Sequence, residues 1–336
     1  MKSVGIVGLP GAGTSTLFTA LTAIEGSASS RTHQAVVPVP DERVNVLGKL
    51  HDSKKLVFTQ LRFVETSGMV RRGARGSGSL ASELLGHLRE ADALLLVVRG
   101  FGPDANPSSE LEDLNLELTL ADLAIADSKL ERGSKAARAG DAEAKRELST
   151  IERAKLILEK GTPLRDETWD ADERKALSSF APLTIKPALA VVTIDPESPI
   201  NVAADMIGVA SALEAEVAGM DDGEAAELLS GYGIEERALA KVIRTTYDKL
   251  DLITFLTAGD TESRSWETRK GATAPEAAGE IHTDIQRGFI KAEVVPYDAL
   301  VEAGSWSAAK SKGLIRQEGK EYVMREGDVV ELRFAV

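Results

Sequence analysis

The sequence has no cysteine among its 336 residues and only four histidines. The lack of cysteine excludes disulfides, thiolate metal sites and cysteine nucleophiles. The histidines show no ligand-like spacing, so a structural metal is not expected. No run of about 18 apolar residues is present, and the apolar start at Val4–Leu9 is too short and too glycine-rich for a signal-peptide core. We therefore expect a soluble, cytoplasmic protein with no membrane partner.

The composition is that of an acidic globular protein, with a formal net charge of -13 and 43% hydrophobic residues. This apolar content allows a sizeable core, and the length suits two or three domains. The acidic balance argues against a protein that coats nucleic acid through its overall field, although a local basic face remains compatible with RNA binding.

Short apolar runs alternate with helical segments through much of the chain. Strands are expected at Ser3–Gly8, Leu56–Val64, Ala93–Val98 and Ala188–Thr193, and a helix is expected to start at Ser15. Continuous apolar runs of this kind are typical of a parallel sheet covered by helices on both faces. The fold class is therefore α/β.

A segment of different character separates the third and fourth of these strands. From about residue 116 to 181 it is rich in Ala, Glu, Lys and Arg, and Leu116, Leu120, Leu123 and Leu130 recur at helical spacing. Helical spacing resumes after a break near Gly140. These patterns predict a hairpin of two long helices inserted into the α/β domain.

The end of the chain predicts a separate small α+β unit. Ile290, Ala292 and Val294 alternate with Lys291 and Glu293, as in a strand with one buried face. The predicted division is a first domain formed by residues 1–120 and 182–250, a helical insert at 121–181 and a C-terminal domain at 251–336.

The stretch GLPGAGTST, residues 8–16, has the outline of a phosphate-binding loop between a strand and a helix. The dinucleotide pattern G-x-G-x-x-G fails because Pro10 stands where its second glycine must be. In the mononucleotide pattern the backbone N–H groups face phosphates and Ser15 is placed to bind magnesium. An ordinary strand-to-helix turn without a ligand remains the alternative, because Thr14 replaces the lysine. The candidate phosphate-loop residues are Gly8, Pro10, Gly11, Ala12, Gly13, Thr14, Ser15 and Thr16.

Several segments resemble the YchF/Obg-like ATPases, a branch of the translation-factor GTPases. The resemblance is carried by GLPGAGTSTLFTAL from residue 8, AVVPVPDERV at 35–44, LREADALLLVVRGF at 88–101 and the stretch at 255–295, which resembles the family's terminal TGS domain. It implies a P-loop G-domain with an inserted helical hairpin and a C-terminal, ubiquitin-like β-grasp domain of the TGS type. It also implies ATP or GTP binding with Mg²⁺, and action at the ribosome.

All four elements that the family uses to contact nucleotide differ in this chain. Thr14 replaces the phosphate-gripping lysine, and the magnesium-side motif D-x-x-G becomes Glu65–Gly68. The base motif N-x-x-E becomes Thr193-Ile-Asp195-Pro, without the asparagine amide or the final carboxylate. The switch segment 26–33 lacks the family's threonine pattern. By this resemblance Ser15 and Glu65 are the candidate magnesium residues, and Thr193 and Asp195 stand at the base-recognition position.

These differences from the family's motifs are expected to weaken nucleotide binding less than they slow hydrolysis. A charge-assisted contact of the lysine kind contributes roughly 1.5–3 kcal/mol, or one to two decades of affinity, while backbone amides at a helix start still favour an anion. Phosphoryl transfer depends more heavily on electrostatics and positioning, so it suffers more. The family has a hydrophobic residue in place of a water-orienting glutamine, and Met69 fits that pattern.

Arginines after Gly68 offer one compensation. Arg71, Arg72 and Arg75 lie in a Gly-rich loop, and an arginine from it would reach a γ-phosphate in place of the lysine. A solvated basic loop is the favoured alternative.

Basic residues elsewhere suggest partners. Lys129, Arg132, Lys135 and Arg138 recur every third residue and form a ridge suited to ribosomal RNA phosphates, but interleaved acidic residues favour a solvated helix face. The C-terminal domain is the expected site for protein partners.

Three functions stay open from the sequence. The first is a translation-associated protein of this family with weak or lost purine nucleotide binding and little hydrolysis. The second is an active ATPase or GTPase with a variant loop, and the third is an interaction scaffold that binds no nucleotide. Mg²⁺ with ATP or GTP is the expected cofactor wherever nucleotide binds.

Overall fold

The computed structural model describes residues 1–24, 32–66, 82–138, 142–198 and 200–335. Contacts between Cα atoms divide the chain into two compact units. The N-terminal unit comprises Lys2–Val36 and Arg62–Val242, and the C-terminal unit comprises Met1, Val37–Leu61 and Ile243–Val336. The finer division predicted from the sequence, with bounds at 120, 181 and 250, stays a prediction.

The strands of the described residues form two six-stranded sheets. The strands are β1 (Lys2–Gly8), β2 (Thr32–Pro38), β3 (Leu56–Val57), β4 (Gln60–Thr66), β5 (Ala93–Gly100), β6 (Ala188–Ile194), β7 (Met206–Val209), β8 (Leu252–Thr257), β9 (Ser263–Arg269), β10 (Phe289–Pro296), β11 (Arg316–Glu318) and β12 (Asp328–Phe334).

Helices cover these sheets and form the segment between β5 and β6. They are α1 (Thr14–Thr22), α2 (Glu42–Leu50), α3 (Ser82–Glu90), α4 (Pro107–Arg138), α5 (Ala142–Leu158), α6 (Ala171–Ser178), α7 (Ser211–Glu216), α8 (Asp222–Gly231), α9 (Ala238–Lys249), α10 (Ala274–Ile281), α11 (Thr283–Arg287), α12 (Tyr297–Ala303) and α13 (Trp306–Ser311). None of those described combines the length and apolar character that a membrane span requires.

The first sheet has the strand order β2-β4-β1-β5-β6-β7. The pairs β1–β5, β5–β6 and β6–β7 are parallel. Nearly all of β5 is buried, which explains its continuous apolar sequence. The chain leaves β1 toward β2 on one side and leaves β5 toward β6 on the other, so the connections diverge between these neighbours. Ligands of open α/β sheets bind in the crevice outside the strands' carboxyl ends at such a point.

The segment between β5 and β6 confirms the helical prediction but changes its limits. Helix α4 begins at Pro107 rather than near residue 116, because a proline fits the first helical position. A third helix, α6, begins at Ala171 and is capped by Asp170, whose side chain accepts a hydrogen bond from the backbone N–H of Glu173, while the Glu173 side chain accepts one from the N–H of Asp170. Apolar side chains from these helices pack together with Trp169 and Phe180, which flank α6, in one buried cluster.

The second sheet has the order β11-β10-β12-β8-β9-β3 and mixes parallel with antiparallel pairs. Adjacent residues of its strands point into two different cores. Phe255 belongs to a cluster that includes residues of α10 and α11, whereas Leu256 belongs to one that includes α2, α12 and α13. The sheet is therefore covered on both faces.

Thr273 and Glu276 cap the N-terminus of helix α10. The backbone N–H of Thr273 donates to the Glu276 carboxylate at 2.7 Å, and Arg269 and the Thr273 hydroxyl donate to it as well. These contacts, the Thr273 N–H first, lower the pKa of Glu276 to about 2.

Two strand predictions are wrong in detail. The single strand expected at Leu56–Val64 is split near Thr59, whose N–H donates to the side-chain hydroxyl of Ser265 in β9 at 2.9 Å instead of to a backbone carbonyl. As a result β3 joins the second sheet and β4 the first. Ile290, expected to face the core, is 56% exposed because the pairing of β10 with β12 shifts register between Phe289 and Lys291.

Candidate phosphate-loop site

The turn between β1 and α1 presents backbone N–H groups at the start of a helix. Gly11 and Gly13 have φ of +86° and +90°, which favours glycine at both positions. The Ala12 N–H donates to the Leu9 carbonyl at 3.0 Å and closes the turn. Gly13 caps α1 and has no side chain that could take up the helix's first N–H groups. This arrangement favours an anion at the helix start.

Thr14 fills the loop at the position where a lysine would extend from it. A Cβ on Gly8 would lie 2.6 Å from the Val97 carbonyl oxygen and 3.0 Å from the Thr14 methyl group, so Gly8 admits no side chain. Thr14 itself is half-buried. Its methyl group therefore lies over the end of β1, and the residue brings no positive charge to the loop.

Ser15 and Glu65, predicted for magnesium, lie in direct contact. The Ser15 hydroxyl donates a hydrogen bond to one carboxylate oxygen of Glu65. His33 Nδ1 lies 3.1 Å from the other oxygen. Glu65 is 1% exposed, and the His33 ring packs beside Phe18 with 6.1 Å between ring centroids. The buried carboxylate thus joins the start of α1 to strands β2 and β4.

Sequence reasoning missed His33 as part of this site. The strand pairing that brings it beside Glu65 is long-range, and a single histidine on a strand carries no local signal. In the described part of the chain, no three His, Cys, Asp or Glu side chains gather in a way that would hold a metal ion.

Thr193, predicted at the base-recognition position, contacts the loop itself. Its hydroxyl donates to the Ala12 carbonyl at 2.7 Å and lies 3.2 Å from the Val98 carbonyl. Its methyl group lies 3.1 Å from the point where a Cβ on Gly13 would stand. Thr193 is 3% exposed. Through these contacts Thr193 joins the phosphate loop to strand β6.

The other predicted residues fall into three sets. Asp195 lies in the turn after β6, where its carboxylate accepts the N–H of Glu197 at 3.0 Å. Pro10, Gly11, Ser15 and Thr16 are exposed along the loop. Gly68, Arg71, Arg72 and Arg75 lie outside the described residues.

Two family models match the chain, one near its start and one near its end. The "50S ribosome-binding GTPase" model matches residues 3–129. The YchF GTPase C-terminal model, described as "Protein of unknown function (DUF933)", matches residues 252–335.

Known proteins match the chain over nearly its whole length. The "Ribosome-binding ATPase YchF" of Haemophilus ducreyi is 37% identical, with 99% of each chain covered. The protein of the same name from Bacillus subtilis is 36% identical, again with 99% of each covered. The solved "Structure of the Schizosaccharomyces pombe YchF GTPase" superposes with a TM-score of 0.84 at 30% identity, covering 99% of this chain and 97% of the other. The chain belongs to the YchF/Obg-like ATPase family.

Proposed function

We propose that this chain is a translation-associated phosphate-loop protein that binds nucleoside triphosphate weakly and hydrolyses it slowly. The observation that carries the proposal is Thr14, whose methyl group lies over Gly8 where the loop's cation would begin. The backbone half of the site supports retained binding, since Gly11 and Gly13 hold the turn and α1 begins at the loop.

The expected loss of affinity follows from the missing cation. A charge-assisted contact contributes roughly 1.5–3 kcal/mol, which corresponds to one to two decades in the dissociation constant. A site that would otherwise bind in the micromolar range then binds at roughly 100 µM. Hydrolysis falls further, because the same cation neutralises charge that develops during phosphoryl transfer.

The donor atoms present fit Mg²⁺. Magnesium prefers oxygen ligands and is usually bound through one or two carboxylates together with substrate phosphates. Ser15 and Glu65 supply a hydroxyl and a buried carboxylate at one place, and these two residues would hold the ion. When bound, it would supply positive charge next to the phosphates. His33, through its contact with the second carboxylate oxygen, fixes the direction of Glu65.

The hydrogen bond between Ser15 and Glu65 is compatible with a metal ion. Ser15 donates its one proton to Glu65 and keeps its oxygen lone pairs for a cation. Glu65 is one methylene longer than the family's aspartate and reaches Ser15 directly. The expected weakness therefore comes from Thr14.

The partner assignment rests on the relatives. Curated relatives are named ribosome-binding ATPases, and we extend ribosome association and a cytoplasmic location to this chain. The mixed sheet that the strands of residues 252–335 form together with β3 is consistent with a TGS-like β-grasp domain, which we assign to protein partners. The ridge that includes Lys129 and Arg132 is the candidate RNA contact.

Calorimetric titration with ATP and with GTP in the presence of Mg²⁺ tests the binding claim, and a phosphate-release assay tests hydrolysis. We expect weak binding of roughly 100 µM and slow release. Micromolar affinity with rapid turnover would refute the proposal in favour of an active variant loop, for example one completed by Arg71 or Arg72. Lack of any binding would favour the scaffold function. Co-sedimentation with ribosomes tests the partner assignment separately.

A further inference from the structure

The two sides of the phosphate loop show where the base of a nucleotide would lie. On the β4 side, Ser15 contacts Glu65, and these residues are the candidates for the metal ion. On the β6 side, the Thr193 hydroxyl donates to the Ala12 carbonyl at 2.7 Å, and the Thr193 methyl group lies 3.1 Å from the point where a Cβ on Gly13 would stand. Ligands of open α/β sheets bind outside the carboxyl ends of the strands. A nucleotide with its outer phosphates at the metal side therefore extends its base toward the residues that follow β5 and β6.

Phe101 and Asp195 are the first residues after these two strands. The pairing of β5 with β6 runs in register as far as Gly100 and Ile194, and Phe101 and Asp195 come next in each segment. Successive side chains of extended backbone alternate between the two faces of a sheet. Asp195, two residues after Thr193, therefore shares the face on which Thr193 meets the loop.

Both side chains have binding capacity that the chain does not use. Phe101 is 37% exposed, although phenylalanine is among the residues most often buried. One carboxylate oxygen of Asp195 accepts the Glu197 N–H at 3.0 Å, which fixes the direction of the carboxylate. Among the residues that the structure describes, no donor forms a hydrogen bond with the other oxygen. An exposed aromatic ring and a carboxylate oxygen open to a ligand thus stand at the ends of neighbouring strands.

A carboxylate distinguishes bases by the donors that they present, because an ionised carboxylate only accepts hydrogen bonds. The Watson–Crick edge of guanine has two adjacent donors, N1–H and the 2-amino group, whereas adenine has its 6-amino donor beside an N1 acceptor. Guanine can therefore donate two hydrogen bonds to Asp195, while adenine would place a lone pair against the carboxylate. A site that hydrogen-bonds one particular group rejects analogues that lack it. Stacking on Phe101 tolerates every base, so the selectivity falls to Asp195.

We propose that Asp195 makes this site selective for guanine nucleotides, with Phe101 as the surface on which the base stacks. This inference rests on the proposed function, since it requires that the loop bind nucleotide. It deepens that function by naming GTP as the preferred ligand and Asp195 as the residue that determines the specificity.

Calorimetric titration of the full-length protein with GTP, inosine triphosphate and ATP, each with Mg²⁺, tests the inference. Inosine triphosphate differs from GTP only in the missing 2-amino group. We expect GTP to bind at least about fivefold more tightly than either of the other two, as for the loss of one hydrogen bond. A smaller preference over either nucleotide overturns the inference and leaves the proposed function intact. If none of the three binds, the proposed function fails and the inference fails with it.

Variants at Asp195 identify the residue that reads the base. Asp195→Ala removes both acceptors, and we expect it to bind the three nucleotides within about threefold of one another. Asp195→Asn keeps one acceptor and gains an N–H donor, which suits the 2-oxo group of xanthine. We expect Asp195→Asn to lose affinity for GTP and to bind xanthosine triphosphate more tightly than the parent chain does.

Glu197→Ala is the matched control, because it removes an exposed carboxylate only two residues away and should keep the preference for GTP. Thermal unfolding shows whether each variant is folded. A GTP preference that survives Asp195→Ala, or that Glu197→Ala removes, places base reading elsewhere and overturns the inference. The same conclusion follows if Asp195→Asn folds normally but binds xanthosine triphosphate no better than the parent chain. The comparison of GTP with inosine triphosphate on the parent chain tests the inference even if a variant does not fold.

Discussion

Thr14→Lys is the change that most directly measures what the loop lacks. Thr14 occupies the first position of α1, half-buried beside Gly8, and a lysine there can run its stem outward from the same Cβ. Its ammonium should add a charge-assisted contact with phosphate of roughly 1.5–3 kcal/mol, which is about 10- to 150-fold in affinity. In the free protein a cation in the first helical turn should instead cost about 0.3–1 kcal/mol through the helix dipole.

The variant is expected to lower the stability of the free protein and to raise its affinity for phosphate, and these opposite effects make the test specific. Thermal unfolding of Thr14→Lys should begin slightly below that of the parent chain without ligand and rise above it with ATP and Mg²⁺. Calorimetry of both proteins gives the affinity ratio directly. Thr14→Gln is the matched control, because it adds a long polar side chain without charge and should gain little. If Thr14→Lys folds normally yet binds no more tightly than Thr14→Gln, the loop does not hold phosphate at its backbone amides and the reasoning fails.

Three further predictions concern the frame around the site. Asp122→Ala should lower the free energy of unfolding, measured by urea titration, by about 3–5 kcal/mol. The fully buried Asp122 carboxylate accepts hydrogen bonds from the Arg89 guanidinium and from the backbone N–H groups of Leu183 and Thr184, which would all lose their partner. The contacts with Thr273 lower the pKa of Glu276 to about 2, whereas in the unfolded chain it is about 4.3. The ionised Glu276 should therefore stabilise the fold above about pH 4.3 and lose this effect as the pH falls toward 2. Glu276→Gln should flatten the decline in melting temperature between these two pH values. Gly8→Ala should displace the loop, because the new Cβ would lie 2.6 Å from a carbonyl oxygen of β5, and should weaken ATP binding and lower the melting temperature together.

Much of the fold could be predicted because its signals are local. The apolar runs of β5 and β6 have the length and the continuity of buried parallel strands, and the leucine spacing after residue 116 identified the helical arm. The break at Thr59 could not be predicted, since it depends on a hydroxyl at Ser265 more than two hundred residues away. The exposure of Ile290 follows from a shift in strand register, which an alternating pattern on one strand does not reveal.

The candidate site, too, could be predicted only in part from the sequence. The glycine spacing of residues 8–13 indicated the turn, and the family resemblance paired Ser15 with Glu65. His33 escaped notice because only the neighbouring positions of β2 and β4 bring it to Glu65. Resemblance placed Thr193 at a base-recognition position, but a threonine is too short to serve the loop and a ligand together, and the structure shows its hydroxyl bonded to the loop.

The replaced residues share one physical consequence. The Thr14 methyl group packs over the loop, Glu65 is bonded to Ser15 and His33, and Thr193 is bonded to Ala12. None of these three side chains brings a positive charge to the loop. A phosphate must then gain its binding energy from the backbone N–H groups at the start of α1 and from a metal ion that Ser15 and Glu65 would hold. Weak affinity follows from this condition, because the charge-assisted contact that a lysine would make with phosphate is missing.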